Sequence, residues 1–390
     1  MKVFHVDLAA SGLASGGETC MLEVIKYLMQ SGIKNVLLTT RNMMPIYERY
    51  GVIEGDLLTM ITIDPGSGRK GLRLFLSYIG RVRRFLGIKD EITDMIDKHE
   101  DVLMCHSDFF PSTVVTRMLT GEFERVPYYW FHMLCPRIFR GYVGEYTGKL
   151  GLPTPSLVHF KLNQLLFRRL SRKANIIVSN PAYFELFPDQ EAYFAGFGTD
   201  IVNAESTSAD AEYDIAFMGR FHAQKGLFEL LEILRRLKEK KPEVKLLMIG
   251  DGNRRFLRRF KEAARTLGVS DNIVYSGYKA SEERFVLLAK AKVFAFPSYY
   301  ESFGIVIREA MMCGLPVVAY DLPVYDVHEQ GMIKVPLLDN EAFTAEILRL
   351  LDDEEYRMRC SKLGMEYVRD LPWRRTGEKV LGLLGGSSGG

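Results

Sequence analysis

The stretch from Phe296 to Ala319, FPSYYESFGIVIREAMMCGLPVVA, decides the fold. Its approach, Val293 to Phe296, is β-branched and aromatic and is stopped by Pro297, which predicts a short buried strand. A helix is expected from about Gly304, a glycine stop at Gly314 and a second strand over Pro316 to Ala319. Strand, helix and strand in that order are half of a β-α-β unit, with Glu301 and Glu309 at the carboxyl end of the first strand.

The two glutamates bracket the strand-to-helix turn. At ~1.5 Å rise per residue, their carboxylates are expected on the order of 8 Å or more apart, too far to share one proton. Between them the amides of Phe303, Gly304 and Ile305 head the helix, where backbone donors and the helix dipole favour an anion. Hydroxyl acceptor, anion site and hydroxyl acceptor follow the layout of a nucleotide-sugar: sugar diol, diphosphate, ribose diol. Taken alone, two glutamates at this spacing are more simply a solvated helix face; the flanking strands argue for the site.

Apolar strands alternate with amphipathic helices on both sides of this stretch, the pattern of parallel sheets covered on both faces. In the first part strands are expected near Lys2 to Val6, Asn35 to Thr39, Asp101 to Cys105, Val126 to Phe131 and Asn175 to Val178. In the second they fall near Tyr213 to Met218, Val244 to Ile249, Asn272 to Tyr275, Lys292 to Phe296 and Pro316 to Ala319. Both sets predict doubly wound, Rossmann-like α/β domains. The seam is expected over Thr199 to Glu212, where small and acidic residues replace the apolar rhythm. That gives an N-terminal domain over 1–198, a C-terminal domain over 199–371, a last helix over 372–384 and a flexible glycine and serine tail over 385–390.

With 390 residues the chain is long enough for two domains, since single cores stop growing near ~250 to 300 residues. A net charge of +2 gives no reason to expect a nucleic-acid partner. Five scattered cysteines without a C-x-x-C pair predict buried thiols in a reducing compartment and no zinc site. The N-terminus enters a strand at once, and no uncharged apolar run reaches ~18 residues, so a cytoplasmic protein is expected.

Other segments carry candidate site residues. Gly16 and Gly17 follow the first strand and a small-residue loop that includes Gly12, and they precede a helix; such a loop lets amides approach a phosphate, or is simply a surface turn. Gly219, Arg220, Lys225 and Gly226 follow the first strand of the second sheet. Two cations there suit a diphosphate whose charge grows as its bond to sugar breaks, although most loop cations are merely solvated. His132 and His106 each end a strand of the first domain, where either could bind a hydroxyl or carry a proton, or be a satisfied structural histidine. His5, inside the first strand, reads as core.

From Arg69 to Lys89 the chain carries Arg69, Lys70, Arg73, Arg81, Arg83, Arg84 and Lys89 among apolar residues and no acid. Such a helix can lie on an anionic membrane surface, which would place the protein peripherally on the inner face of the cell membrane. An ordinary packed helix with a solvated cationic face is the alternative.

In order, Gly16-Gly17, His132, Gly219-Arg220 with Lys225-Gly226, Gly250 and Gly252, Gly277, Pro297, Glu301 to Gly304, Glu309 and the run from Gly314 resemble the retaining glycosyltransferases of family 4. The resemblance covers nearly the whole chain and is stronger in the second half. It implies a GT-B architecture, two Rossmann-like domains facing a central cleft, with the donor mostly on the second and the last helix crossing back to the first. By that resemblance Glu301 holds sugar hydroxyls, the Ser302, Phe303, Gly304 and Ile305 turn meets sugar and phosphate, and Glu309 takes the ribose. Arg220 and Lys225, with Gly219 and Gly277 beside them, bind the diphosphate; Gly16 and Gly17 add amides, and His132 sits beside the sugar ring. The resemblance also implies a metal-independent enzyme with no cofactor beyond its nucleotide-diphosphate sugar. Two departures stand out: Phe197-Gly198-Thr199-Asp200 replaces the family's usual Asn-Gly-x-Asp, and Ser302 stands where glycine is commoner.

The expected reaction is transfer of a hexose to an acceptor hydroxyl, lipid-linked or on a cell-surface glycan precursor, with retained anomeric configuration. An NAD-dependent oxidoreductase is a rival, though the glycine fingerprint G-x-G-x-x-G is absent. A catalytically silent sugar-binding protein of the same fold is another.

Overall fold

A computed structural model describes residues 1–9, 16–66, 71–141, 154–200, 211–279, 282–328 and 330–385. Gly12, Arg69 and Lys70, most of the expected seam (201–210) and the end of the tail (386–390) lie outside the described residues.

The described chain falls into two compact units. One holds residues 1–141, 154–198 and 373–385; the other holds Thr199–Pro372. The first is built on a sheet of seven strands: β1 (Lys2–Asp7), β2 (Lys34–Thr40), β3 (Leu58–Ile63), β4 (Val102–Cys105), β5 (Tyr128–Phe131), β6 (Asn175–Val178) and β7 (Ala192–Phe194). Their order is β3-β2-β1-β4-β5-β6-β7, with every pairing parallel. The helix Trp373–Gly385 packs on the helix Gly16–Gln30 of the same unit, and Gly377 is there because a Cβ would fall 2.2 Å from the Tyr27 ring.

The second unit carries β8 (Tyr213–Met218), β9 (Leu246–Ile249), β10 (Ile273–Gly277), β11 (Ala291–Phe296), β12 (Val317–Tyr320) and β13 (Met332–Val335), in the order β10-β9-β8-β11-β12-β13 and again all parallel. Phe217, Phe294 and Phe296 are fully buried in its core. Both sheets are therefore doubly wound α/β structures. In such a sheet the strand order reverses beside the first strand, and ligands bind outside the carboxyl ends at that switch point. In the second unit the reversal lies between β8 and β11, which pair directly, Val293 beside Ile215 and Phe294 beside Ala216. The loops leaving those two strands are the Gly219 to Lys225 and Pro297 to Gly304 segments.

Three strands escaped the sequence reading: β3, β7 and β13. All three are sheet edges. Their burial is mixed rather than continuous, and a half-solvated edge lacks the unbroken apolar run that marks a central parallel strand.

Arg81 requires a correction. Counted above with the solvated cations, it is 4% exposed, and its guanidinium donates to the carbonyls of Leu8 and Pro65. No helix among the described residues is long and apolar enough to cross a membrane. All five cysteines are free thiols, four of them buried.

Candidate active site

The loops after β8 and β11 are stapled together before any functional group is considered. Gln224 accepts from the Tyr299 amide at 2.9 Å and from the Ser298 hydroxyl at 3.0 Å, both at its backbone carbonyl, and its side-chain amide donates to the Tyr300 carbonyl at 3.2 Å. Gly226 makes the approach possible: at φ +63° a side chain is already disfavoured, and a Cβ would fall 1.7 Å from the Pro297 carbonyl oxygen. The loop after β9 joins the same edge, for the Phe221 amide donates to the Asp251 carbonyl at 2.8 Å and the Gly250 amide to the Gly277 carbonyl at 2.9 Å.

On this framework Lys225 forms an ion pair with Oε1 of Glu301, and its ammonium lies 5.0 Å from the Phe296 ring centroid. The side chains are 14% and 9% exposed. Ser298 donates to the same carboxylate oxygen at 2.7 Å. The other oxygen of Glu301 accepts no hydrogen bond among the described residues. Arg220, on the same loop as Lys225, is exposed and pairs with no carboxylate among them. Between the two cations, His222 is lowered to about 4, first by burial and then by Arg220 and Lys225, so it stays neutral and adds no third charge.

Glu309 is built the same way. It is 7% exposed on the helix Ile305–Met312, and Arg284 donates to its Oε1 at 2.8 Å. Again the second oxygen accepts nothing among the described residues. Burial raises the Glu309 carboxyl; Arg284 opposes that rise, and the charge of Asp200 adds to it. Both glutamates stand on either side of a helix N-terminus, as the sequence implied, and each is also held by a cation, Glu301 by the half-buried Lys225 and Glu309 by the buried Arg284.

Gly304 caps the helix in the left-handed conformation, φ +83°. Ser302 is half-buried and Phe303 buried beside it. His328 donates through Nε2 to the Phe303 carbonyl at 2.7 Å, while the Arg308 guanidinium lies 4.5 Å from the Phe303 ring centroid. Burial, with Arg308 nearby, lowers His328 to about 3, so it serves as a neutral strut for the turn. Gly219 ends β8 and donates to the Ile249 carbonyl; Gly277 ends β10 with open space where a side chain would stand.

Sequence reasoning missed Arg284, Ser298, Gln224 and His328. For Arg284 a signal existed. Positions 284 and 288 are one helical turn apart, and Leu288 is an obvious core residue, so Arg284 shares the inward face.

Gly16, Gly17 and His132 belong to the first unit. Gly17 lies against the imidazole of His132, so close that a Cβ would be 3.1 Å from Cε1 and 3.3 Å from Nδ1. His132 bonds through Nε2 to the His106 carbonyl at 2.8 Å, which fixes the proton on Nε2 in the neutral ring. Its Nδ1 is buried without a partner. His106 itself is spent on structure. It is 5% exposed, its Nε2 lies 2.7 Å from His5 Nδ1, and His5 continues to Asn35 at 2.9 Å. Among the described residues no group of three or more His, Cys, Asp or Glu could hold a metal ion.

Known proteins match this architecture. The family described as Glycosyl transferases group 1 matches residues 199–366. A D-inositol 3-phosphate glycosyltransferase of Corynebacterium efficiens is 31% identical over 176 residues, 43% of this chain and 42% of the relative. The chain thus spans about two fifths of the length of that curated relative. Among solved structures, sucrose-phosphate synthase from Thermosynechococcus elongatus superposes with a TM-score of 0.76 at 18% identity, over 98% of each chain. The Anabaena HepE protein in complex with UDP and glucose gives 0.73 at 16% identity, over 99% of this chain and 100% of that one. At such identities the likeness is one of fold: two Rossmann-like α/β units of the GT-B class.

Proposed function

We propose that this chain is a glycosyltransferase that moves a hexose from a nucleotide-diphosphate sugar to an acceptor hydroxyl with retained configuration. One observation carries the reading. Two carboxylates flank a helix N-terminus at the switch point of a doubly wound sheet, each with one oxygen pinned by a cation and the other left to accept from a ligand hydroxyl. The family match over the second unit supports glycosyl transfer over the nicotinamide-dependent alternative.

On this reading Glu301 accepts from the sugar diol and Glu309 from the ribose diol, with the diphosphate at the Gly304 and Ile305 amides. An ammonium has three donors, so Lys225 holds Glu301 and a phosphate oxygen together. Arg220 supplies the second charge. Retention by double displacement would require a carboxylate on the far face of the sugar, and none is nominated among the described residues. The front-face route fits the residues: the acceptor oxygen bonds to the anomeric carbon, the carbon–phosphate-oxygen bond breaks, and the departing phosphate takes the acceptor's proton. Arg220 and Lys225 then offset the negative charge that develops on the departing diphosphate. The test is release of nucleoside diphosphate by purified protein offered UDP-, GDP- and ADP-sugars, with and without EDTA. Release that survives EDTA supports the reading; no release with any donor overturns it, and release lost with EDTA overturns the metal-free part.

The acceptor proposed is lipid-linked and met at a membrane surface. The helix Gly71–Leu86 exposes Phe75, Leu76 and Leu86 together with Arg83 and Arg84, an apolar and cationic mixture suited to anionic headgroups. With Arg81 buried, the charge is smaller than the sequence implied. Flotation with anionic liposomes at low salt tests the contact, and failure to float removes it.

A further inference from the structure

We propose that Arg284 is a positioning residue for the nucleotide: it pins Oε1 of Glu309 so that Oε2 is presented to the ribose diol. The inference rests on the ribose reading of Glu309. Arg284 lies on the short helix Glu282–Leu288 and is 9% exposed, with its guanidinium 4.4 Å from the Phe285 ring centroid. The same nitrogen, Nη2, donates to Glu309 at 2.8 Å and to Oδ2 of Asp200 at 3.1 Å. A guanidinium nitrogen with two hydrogens can serve two acceptors from one fixed plane, which a lysine ammonium on a flexible stem does less well. Asp200 is a firm second anchor, because the amide of its neighbour Thr199 donates to the Leu371 carbonyl at 3.0 Å.

Two physical effects oppose each other at Glu309. Burial and the Asp200 charge favour the protonated carboxyl; Arg284 favours the carboxylate. Only the carboxylate accepts hydrogen bonds at both oxygens, whereas a protonated one spends an oxygen as donor. Arg284 therefore sets the direction of the group that would recognise ribose and favours its charged form. A purely structural ion pair between two helices would do neither.

The two roles separate in binding experiments on the full chain. Isothermal titration with UDP, GDP and ADP and their 2′-deoxy counterparts gives a ribose preference for wild type, for Arg284→Met and for Glu309→Gln. Arg284→Met is expected to lower that preference about tenfold, as for loss of a hydrogen bond to a charged group. The loss should grow as pH falls, because without Arg284 nothing opposes the burial that already raises the Glu309 carboxyl. If Arg284→Met keeps the wild-type preference at every pH while Glu309→Gln loses its preference, the positioning role is overturned and the ribose reading stands. If Glu309→Gln also keeps the preference, both fall. Should Arg284→Met fail to fold by circular dichroism, Arg284→Lys takes its place: a reduced, pH-dependent preference supports the role, and an unchanged one overturns it.

Discussion

Replacing Lys225 by methionine removes the ammonium from Glu301 while keeping much of the aliphatic stem over Phe296. Both partners are largely buried, at 14% and 9% side-chain exposure, so the pair is poorly screened. Removing one member of a buried ion pair costs ~3–5 kcal/mol, because the survivor is left uncompensated. Here the Ser298 hydroxyl still donates to the same Glu301 oxygen at 2.7 Å, which argues for the lower end. The expected loss of stability is about 3 kcal/mol for Lys225→Met. Adding Glu301→Gln removes the stranded charge, and the double variant should recover to within about 1 kcal/mol of wild type. Turnover should behave differently. If Lys225 offsets charge on the departing diphosphate, its loss costs on the order of 100-fold in rate, and the double variant regains none of it. Stability must be followed by far-ultraviolet circular dichroism in urea, because Trp130 and Trp373, the two tryptophans, both belong to the first unit and report nothing on the second. Additive stability losses would refute the energetic ion pair. Rates within about threefold of wild type would refute the leaving-group role, since one lost electrostatic donor is worth far more.

Gly226→Ala should lower the stability of the second unit by at least ~1–2 kcal/mol from the left-handed backbone alone, and by more because the Cβ lands on the Pro297 carbonyl; unchanged urea unfolding would show that the two loops can separate at no cost. Asp7→Asn tests a buried acid at the end of β1, whose carboxyl is pushed up to about 7 by burial and by Glu18. The native state then binds more protons than the unfolded chain between the ordinary carboxylate range and pH 7, so wild-type stability falls as pH rises through that window. The amide carries no such penalty, and its melting temperature relative to wild type should rise from acid to slightly alkaline pH; a difference that does not move with pH would sink the assignment. Gly17→Ala should lower the melting temperature of the first unit, because the added methyl would stand 3.1 Å from Cε1 of His132; unaltered melting would show that the ring moves aside at no cost.

How much of this was legible in sequence follows from burial. The central strands β1, β4, β8, β11 and β12 are largely buried and mainly apolar, so they were found to within a residue or two. The edges β3, β7 and β13 carry solvent on one side and were lost in the background of loops. The same division runs through the site. Glu301, Glu309, Lys225 and Arg220 stood out because charged residues beside strand ends interrupt a strong apolar signal. Arg284 did not, because a cation inside a short polar helix looks like any surface cation until the Leu288 spacing is used. Nor could sequence show that Lys225 and Glu301, 76 positions apart, meet as a pair; that contact exists because β8 and β11 are neighbours at the switch point.

The pairing changes what the two glutamates mean. A carboxylate left to rotate presents either oxygen to a hydroxyl, and ordering it on binding costs side-chain entropy of up to ~1.5–2 kcal/mol. With one oxygen fixed by Lys225 and Ser298, and in the second case by Arg284, that cost is met during folding, and the remaining oxygen of each points in a direction set by the sheet. The two cations differ in a way that suits their positions. Arg284 is locked between two carboxylates and has no charge left to lend, whereas Lys225 has one acid partner and sits on the loop that carries Arg220. On the proposed reading, recognition of the nucleoside is rigid while the diphosphate end retains positive charge to respond as the bond breaks. Exchanging the two, with lysine at 284 and arginine at 225, should weaken nucleotide binding and turnover together, and a swap that left both intact would show that the cations act only as counter-charges.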